Sequence, residues 1–583
     1  MSISKSELRQ IMKKTLLRTG VILGMMLSFW SCRVDEVDVL PVDEESTSFE
    51  NIDLNEFYPS DGKMVLGKQL ENAYSVENMK IALANLTASG RIEEDIQIET
   101  TDLYIRFLPK DSTEVALLET DSTLTLFDHP LDFEIEQVGH WYHDPTIPDH
   151  MPTWQYTVVK PDFEFPAVEF EVLADLFLIH EDEAEDAGRM SLSSWEALED
   201  EALKITGNED LDEDEEGGRT ETWCRSGRWN PNGTIKVMEM NGGVETGQQI
   251  PLWGVEVQAR RHFFWSSGTT NSNGYFRVSR RFRKNVNYRI KWRVANRYKI
   301  TNPWGFTRHF NRPSNTRTGC AWDITIRDRE TLSGGTTRII HNREAWTEAT
   351  MAIAARHFHY QAERHGLKTP DWYRNARIRL KFRSGSSNLI QGSFRHNPAF
   401  ITEQTRIWLM LRNDVRFFVQ GNEYTPQIYR TMMHELGHVS HIWKSGVNFQ
   451  TSYIVDPMVV ESFGEAVEYY FTLPYYPAIV RNIPNQRENE YNDGGKGWQY
   501  TPFFIDLVDN DNQRSRLPNG GTTNDYADDR VFGYSLSQIQ RALDNRTTLR
   551  GVQEHLRNNF SNSTENEIER LRAFYENIKN NKR

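Results

Sequence analysis

Near residue 340 the hydrophobic pattern of this chain changes period, and that change limits the folds available to it. From 224 to 327 the apolar residues alternate or are β-branched and aromatic: Thr234 to Glu239, Val255 to Arg260, Tyr275 to Ser279, Tyr288 to Val294 and Trp322 to Ile326. Side chains on a strand point to opposite faces in turn, so this stretch predicts many short strands. Asn232-Gly233 and Asn273-Gly274 mark the expected turns. From about Asn342 the period becomes helical. Ala345 to Tyr360 predicts a long helix, Ala376 to Phe382 and Thr405 to Met410 two strands, and Ile428 to Trp443 a second helix.

The chain has 583 residues, long enough for several cores. Its 38% hydrophobic and 12% aromatic content excludes a mainly disordered chain. With 67 basic against 83 acidic side chains the net charge is −16, which argues against a dedicated nucleic-acid binder. The one apolar run near spanning character lies at the N-terminus, so a multi-span membrane protein is excluded.

That run reads as an address. Lys13, Lys14 and Arg18 precede the apolar Val21 to Ser31, and Cys32 follows directly. The arrangement resembles a bacterial lipoprotein signal. It implies cleavage after residue 31, a lipid on Cys32, and an outer-membrane lipoprotein facing outside or the periplasm. A plain signal peptide or an uncleaved anchor is the alternative. Residues 32–50 read as an acidic tether, and acids just after the lipidated Cys resemble the surface-export signal of Bacteroidetes-type lipoproteins. Residues 51–206 mix a helical stretch (Met79 to Leu86) with strands (Asp102 to Phe107, Trp154 to Val159, Val168 to Ile179) and predict an α+β domain. Residues 207–220 read as an acidic linker, because seven acids in the nine positions 208–216 repel one another.

Residues 221–330 are expected to form an all-β domain. Pro251 to Val257 and Thr269 to Phe276 resemble the prealbumin-like sandwich of carboxypeptidase regulatory domains, which implies no catalysis. Cys224 and Cys320 bracket it and are expected to pair in an oxidising compartment, with two free thiols as the alternative. Between Tyr275 and Ile300 stand ten Arg or Lys and no acid. They predict a solvated strand face or a face docked on the acidic front of the chain. The alternative is an external polyanion such as a glycan.

Residues 340–583 hold the chemistry. His434-Glu435-Leu436-Gly437-His438 is an HExxH pentad. Residues four apart share a helix face, so His434 and His438 can present ring nitrogens to one zinc ion. Glu435 lies one position off that face, where its carboxylate can take a proton from water and pass it to a leaving amine. His441 and Lys444 stand where metzincins have Gly and His, which excludes that subclass. Asp456-Pro457 predicts a helix start, and Glu461, Glu465 and Glu468 then fall on one face. The run from Val459 to Tyr470 resembles the second active-site helix of gluzincin metallopeptidases. That resemblance implies an α+β zincin fold with Glu461 as third ligand. Glu465 is the rival, or else holds the second nitrogen of a ligating His. Val460 departs from the family Asn, which favours an endopeptidase over an aminopeptidase. Gluzincins also use a downstream Tyr or His as oxyanion donor; Tyr534 is the favoured candidate, with Tyr500 and His441 behind it. His357 and His359 cannot share a helix face and read as packing or surface residues.

Two functions follow as expectations. One is a surface-anchored zinc peptidase acting on protein or peptide. The other is a protein- or glycan-binding lipoprotein with a degenerate or structural zinc site.

Overall fold

The computed structural model describes residues 62–582 except 94, 138, 140, 180–189, 210–227, 242–243, 295–296, 313–320, 328–337, 342, 370–375, 383–390, 404–405, 420–424, 446–455, 486–498 and 517–525. The signal, tether and most of the linker, together with Cys32, Cys224 and Cys320, lie outside the described residues. The architecture is mixed α+β, with four sheets and helical segments among the described residues. Among the described residues no helix is long and apolar enough to cross a membrane.

The first part holds β1 (Val65–Gln69), α1 (Val76–Ala88), β2 (Asp102–Leu108), α2 (Ser112–Thr120), β3 (Phe133–Gln137), β4 (Gln155–Val159), β5 (Glu169–Leu176) and α3 (Leu192–Ile205). Strands β4, β2 and β5 form an antiparallel sheet in that order. Ser75, Asp111 and Ser191 start the three helices by accepting backbone N–H bonds from the first turn.

The middle part runs through β6 (Asn232–Asn241), β7 (Val244–Pro251), β8 (Val255–Arg261), β9 (Phe264–Thr269), β10 (Tyr275–Arg277), β11 (Asn287–Val294), β12 (Tyr298–Thr301), β13 (His309–Arg312) and β14 (Ile324–Arg327). Asn273-Gly274 turns the chain as expected: Gly274 has φ +77°, and the Asn271 carboxamide accepts from Asn273 and Tyr275. Asn232-Gly233 does not turn. It lies inside β6, paired with β10, and Gly233 is required because a Cβ there would stand 2.2 Å from the Trp322 carbonyl oxygen.

The last part holds β15 (Arg338–His341), α4 (Arg343–Arg364), β16 (Ala376–Phe382), β17 (Gln391–Glu403), β18 (Arg406–Val419), α5 (Thr425–Ser445), α6 (Pro457–Thr472), α7 (Pro477–Val480), α8 (Phe503–Asp506), α9 (Leu536–Ala542), α10 (Leu549–Asn559) and α11 (Ile568–Lys582). Two sheets run from the middle part into it: β12 pairs in parallel with β16, and β14 with β15. The strand expected over 405–410 continues to Val419, and β17 covers one side of it from end to end. On that side the sheet therefore ends in β17, as it ends in β9 on the other.

One core joins all three parts, from Tyr74 and Trp195 through Trp292 and Trp322 to Trp346, Met433 and Phe463. Charge docks the first part on the second. Arg283 grips Asp200 at 2.7 Å and Glu199 at 3.1 Å, and Lys299 reaches Glu119 at 2.8 Å. Much of the basic stretch is thus answered by acids of the first part. Helix α4 is buried along nearly its whole length; its Trp346 donates to the Met238 carbonyl at 2.7 Å, and its Glu344 and Glu348 both bind the buried Arg308.

Candidate metal centre

Helices α5 and α6 build the site. Helix α5 is buried on several sides: Ile428, Tyr429, Met432, Met433, Leu436 and Val439 fill the core, and His434, Glu435, His438 and His441 are buried among them. A helix placed this way is held by its surroundings rather than by one apolar stripe. Asp456 caps α6 by accepting from Met458 N–H at 3.2 Å, with Pro457 in the first turn.

The two helices run antiparallel at close range. Arg430 meets Glu468, Gly437 meets Val467, and His438 meets Glu461. Glycines at the crossing permit this approach. A Cβ on Gly464 would stand 2.7 Å from His438 Cε1 and 3.0 Å from His434 Cε1. A Cβ on Gly437 would meet Val467 Cβ at 3.1 Å. The Cε1 edges of both imidazoles therefore lie close against Gly464 of α6, and Glu461, one turn earlier, reaches both rings.

His434 Nε2 and His438 Nε2 stand 3.1 Å apart, and each is 3.3 Å from Glu461 Oε2. Zinc bonds of about 2.0–2.1 Å in a tetrahedron would put neighbouring donor atoms about 3.3 Å apart. The spacing and the donor set, two imidazoles and one carboxylate, fit a zinc ion. Among the described residues this is the one group of three or more His, Cys, Asp or Glu whose ligand atoms converge in this way.

The surrounding groups orient the cluster. His434 Nδ1 lies 3.0 Å from Glu468 Oε2, and the other oxygen of Glu468 accepts from Arg430. This fixes which ring nitrogen of His434 faces the cluster. The sequence offered Glu465 for that contact; the carboxylate found there is Glu468, seven residues after Glu461 on the same face. Glu465 lies between them, fully buried, outside the converging cluster, with its carboxyl pushed up to about 8 by burial and by the nearby Glu468.

Burial opposes charge throughout, and local partners decide the outcome. Burial would lower His434, but bonds to Glu461 and Glu468 raise it well above the ordinary range. Burial would raise Glu461, but the two imidazoles hold it far below the usual carboxylate range. Glu435 lacks such help: burial, partly offset by His434, pushes it up to about 8. Its Oε2 finds no hydrogen-bond partner among the described residues. A buried carboxylate that titrates near neutrality can take up and return a proton.

The remaining candidates are spread apart. The Tyr500 ring packs 6.0 Å from His434. It is held there by Ser462, whose hydroxyl accepts from Thr501 N–H at 3.1 Å and lies 2.8 Å from Thr501 Oγ1. Tyr534 is buried just before α9; Glu565 and Arg557 are the charges that act on it, and its N–H donates to Leu507 O at 2.9 Å. His441 packs edge-on to Phe463 at 5.5 Å, its pKa pushed down to about 3 by burial and by His438. His357 stacks on Tyr475 at 4.3 Å, and His359 pairs with Glu363 at 3.0 Å, so both are packing residues. The sequence carried no local signal for Ser462 holding the Tyr500 segment, since that contact spans 39 residues.

The site thus defines a chain with a buried His–His–Glu cluster suited to zinc. No protein-family model, no curated protein and no solved structure matches it.

Proposed function

We propose that this chain is a zinc-dependent peptidase, acting as an endopeptidase on protein or peptide substrates. The observation that carries this reading is Glu435. A structural zinc site needs only its ligands, yet here a fourth acid is buried beside the cluster with one oxygen unused among the described residues.

His434, His438 and Glu461 would hold the ion. When bound, zinc supplies a Lewis acid and makes a water molecule more acidic. Glu435 takes the proton from the attacking water and delivers it to the leaving amine. Glu468 keeps His434 in one tautomer and orientation. Tyr500, beside His434, is the group we assign as donor to the developing oxyanion, ahead of Tyr534, whose charged neighbours belong to the C-terminal helices. The N-terminal signal supports an anchor through a lipid on Cys32 and a place at the outer membrane, facing outside or the periplasm.

The test uses the full chain. Zinc content near one per chain, hydrolysis of an unstructured protein substrate that a chelator abolishes, and a Glu435→Gln variant that keeps zinc but loses hydrolysis are expected. Hydrolysis that survives Glu435→Gln, or a purified protein that binds no zinc, would overturn the reading. Cys32→Ala is expected to release the chain from the membrane fraction.

A further inference from the structure

Away from the metal centre, the face of the sheet built by β8, β11 and β13 carries polar residues where a core would be expected. Gln258 and Asn311 flank Arg289 directly, one on each neighbouring strand. Arg260 lies two residues along β8 from Gln258, so it shares that face. Phe127 and Met64 of the first part help to close over this row, leaving a small cavity of about 20 Å³, room for a guest of one or a few heavy atoms. Arg260, Arg289, Gln258 and Asn311 are each less than a tenth exposed.

The pocket is lined by two guanidinium groups and by no carboxylate. Arg260 spends one donor on the His262 carbonyl at 2.9 Å; Arg289 spends two, on the Leu126 carbonyl at 2.7 Å and on His309 Nδ1 at 3.1 Å. Neither forms a direct ion pair with a carboxylate among the described residues; Asp128 acts on Arg289 through His309, whose Nε2 lies 3.2 Å from Asp128 Oδ1. Phe127 lies under both cations, at 5.5 Å and 4.6 Å, which offsets their charge only in part. Two donors remain: Arg289 Nε and Asn311 Nδ2 are buried and make no hydrogen bond among the described residues. Buried charges are retained where something pairs with them, and buried donors where something accepts from them. One guest meets both needs.

We infer that this pocket binds one small anion, of chloride or carboxylate size, accepting from Arg289 Nε and Asn311 Nδ2 between the first part of the chain and the sheet. Burial holds both guanidiniums down to about 10, with Arg289 adding to the effect at Arg260 and Asp128 offsetting only part of it at Arg289, and a bound anion would relieve both. The anion would fasten the first part to the second, because Phe127, Met64 and the Leu126 carbonyl come from one side and the arginines from the other.

The test is thermal unfolding of the full chain at fixed ionic strength, with the bulky sulfonate HEPES as the only anion or with chloride or acetate added at about 100 mM. A midpoint rise of about 2 °C is expected for a site filled to a hundred times its dissociation constant in a chain of this length. A rise with chloride alone assigns a halide; a rise with acetate alone assigns a carboxylate. Arg289→Met and Asn311→Leu should each abolish the response. Should either variant fail to fold, crystals of the unaltered protein soaked in bromide decide: an anomalous peak within hydrogen-bond distance of Arg289 Nε and Asn311 Nδ2 is expected if the guest is a halide. A midpoint that ignores both anions, or an anion response that persists in Asn311→Leu, overturns the inference.

Discussion

Replacing Gly464 by Ala tests whether the helix crossing creates the metal centre. In a helix interior Ala is normally better than Gly by about 0.8–1 kcal/mol, so without a clash the change would stabilise the protein. The structure predicts the opposite sign. The added Cβ would stand 2.7 Å from His438 Cε1 and 3.0–3.1 Å from His434 Cε1 and Nε2. Those rings are buried and tied to Glu461 and Glu468, so they cannot swing aside cheaply. Overpacking of this kind costs about 1–3 kcal/mol, which offsets the helical gain and leaves the metal-free protein up to about 2 kcal/mol less stable. Moving the rings also spoils the spacing of the three donors, and a loss of about 10–100-fold in zinc affinity is expected, or about 1.4–2.7 kcal/mol. Gly437→Ala is the control. Its nearest contact is the Val467 side chain at 3.1 Å, at the same crossing but facing no imidazole, so zinc affinity should change less than threefold. Chelator-competition titration reads the affinity, and urea unfolding of the metal-free protein reads the stability. A Gly464→Ala protein that is about 1 kcal/mol more stable and binds zinc normally would refute the packing argument.

Other perturbations separate the roles assigned to neighbouring residues. Glu468→Gln should weaken zinc binding by about 10-fold or more, because His434 loses the carboxylate at Nδ1; Glu465→Gln, measured by the same titration, should weaken it less. Ser462→Ala strands the buried Thr501 N–H and should cost about 1–3 kcal/mol in urea unfolding, while lowering kcat more than zinc content if Tyr500 acts in the reaction. Glu119 supplies a pH prediction. Burial alone would raise it, but Lys299 and Arg293 hold it down to about 2. Its folded pKa lies below its unfolded value of about 4.3, so its contribution is fully present above that value and fades as pH falls toward 2. The stability gap between the parent and Glu119→Gln, on the order of 3 kcal/mol near neutral pH, should narrow steadily below pH 4.

What the sequence discloses about this site depends on how far apart the partners lie. His434 and His438 are visible because one turn of helix separates them, and Glu461 because an Asp-Pro cap announces its helix. The carboxylate behind His434 was legible only as a stripe of acids, since the antiparallel crossing rather than α6 itself decides that Glu468, not Glu465, meets Nδ1. Ser462 and Tyr500 are joined through space, so no local pattern records them. The same limit explains β6, where Asn232-Gly233 carries a turn signature but Gly233 is set by the Trp322 backbone lying against it. It also explains the parallel pair β12–β16, whose partners are far apart along the chain and whose zones differ in composition. The basic stretch shows how one composition can serve two purposes. Arg283 and Lys299 meet acids of the first part, as the charge asymmetry along the chain suggests. Arg289 lies on the same run of strands yet faces Gln258 and Asn311 in register, and reaches an acid, Asp128, only through His309. Strand register separates these fates: it turned Arg289 toward a small pocket lined by Arg260 rather than into direct contact with a carboxylate, and a second buried cation beside it leaves the pair short of negative charge.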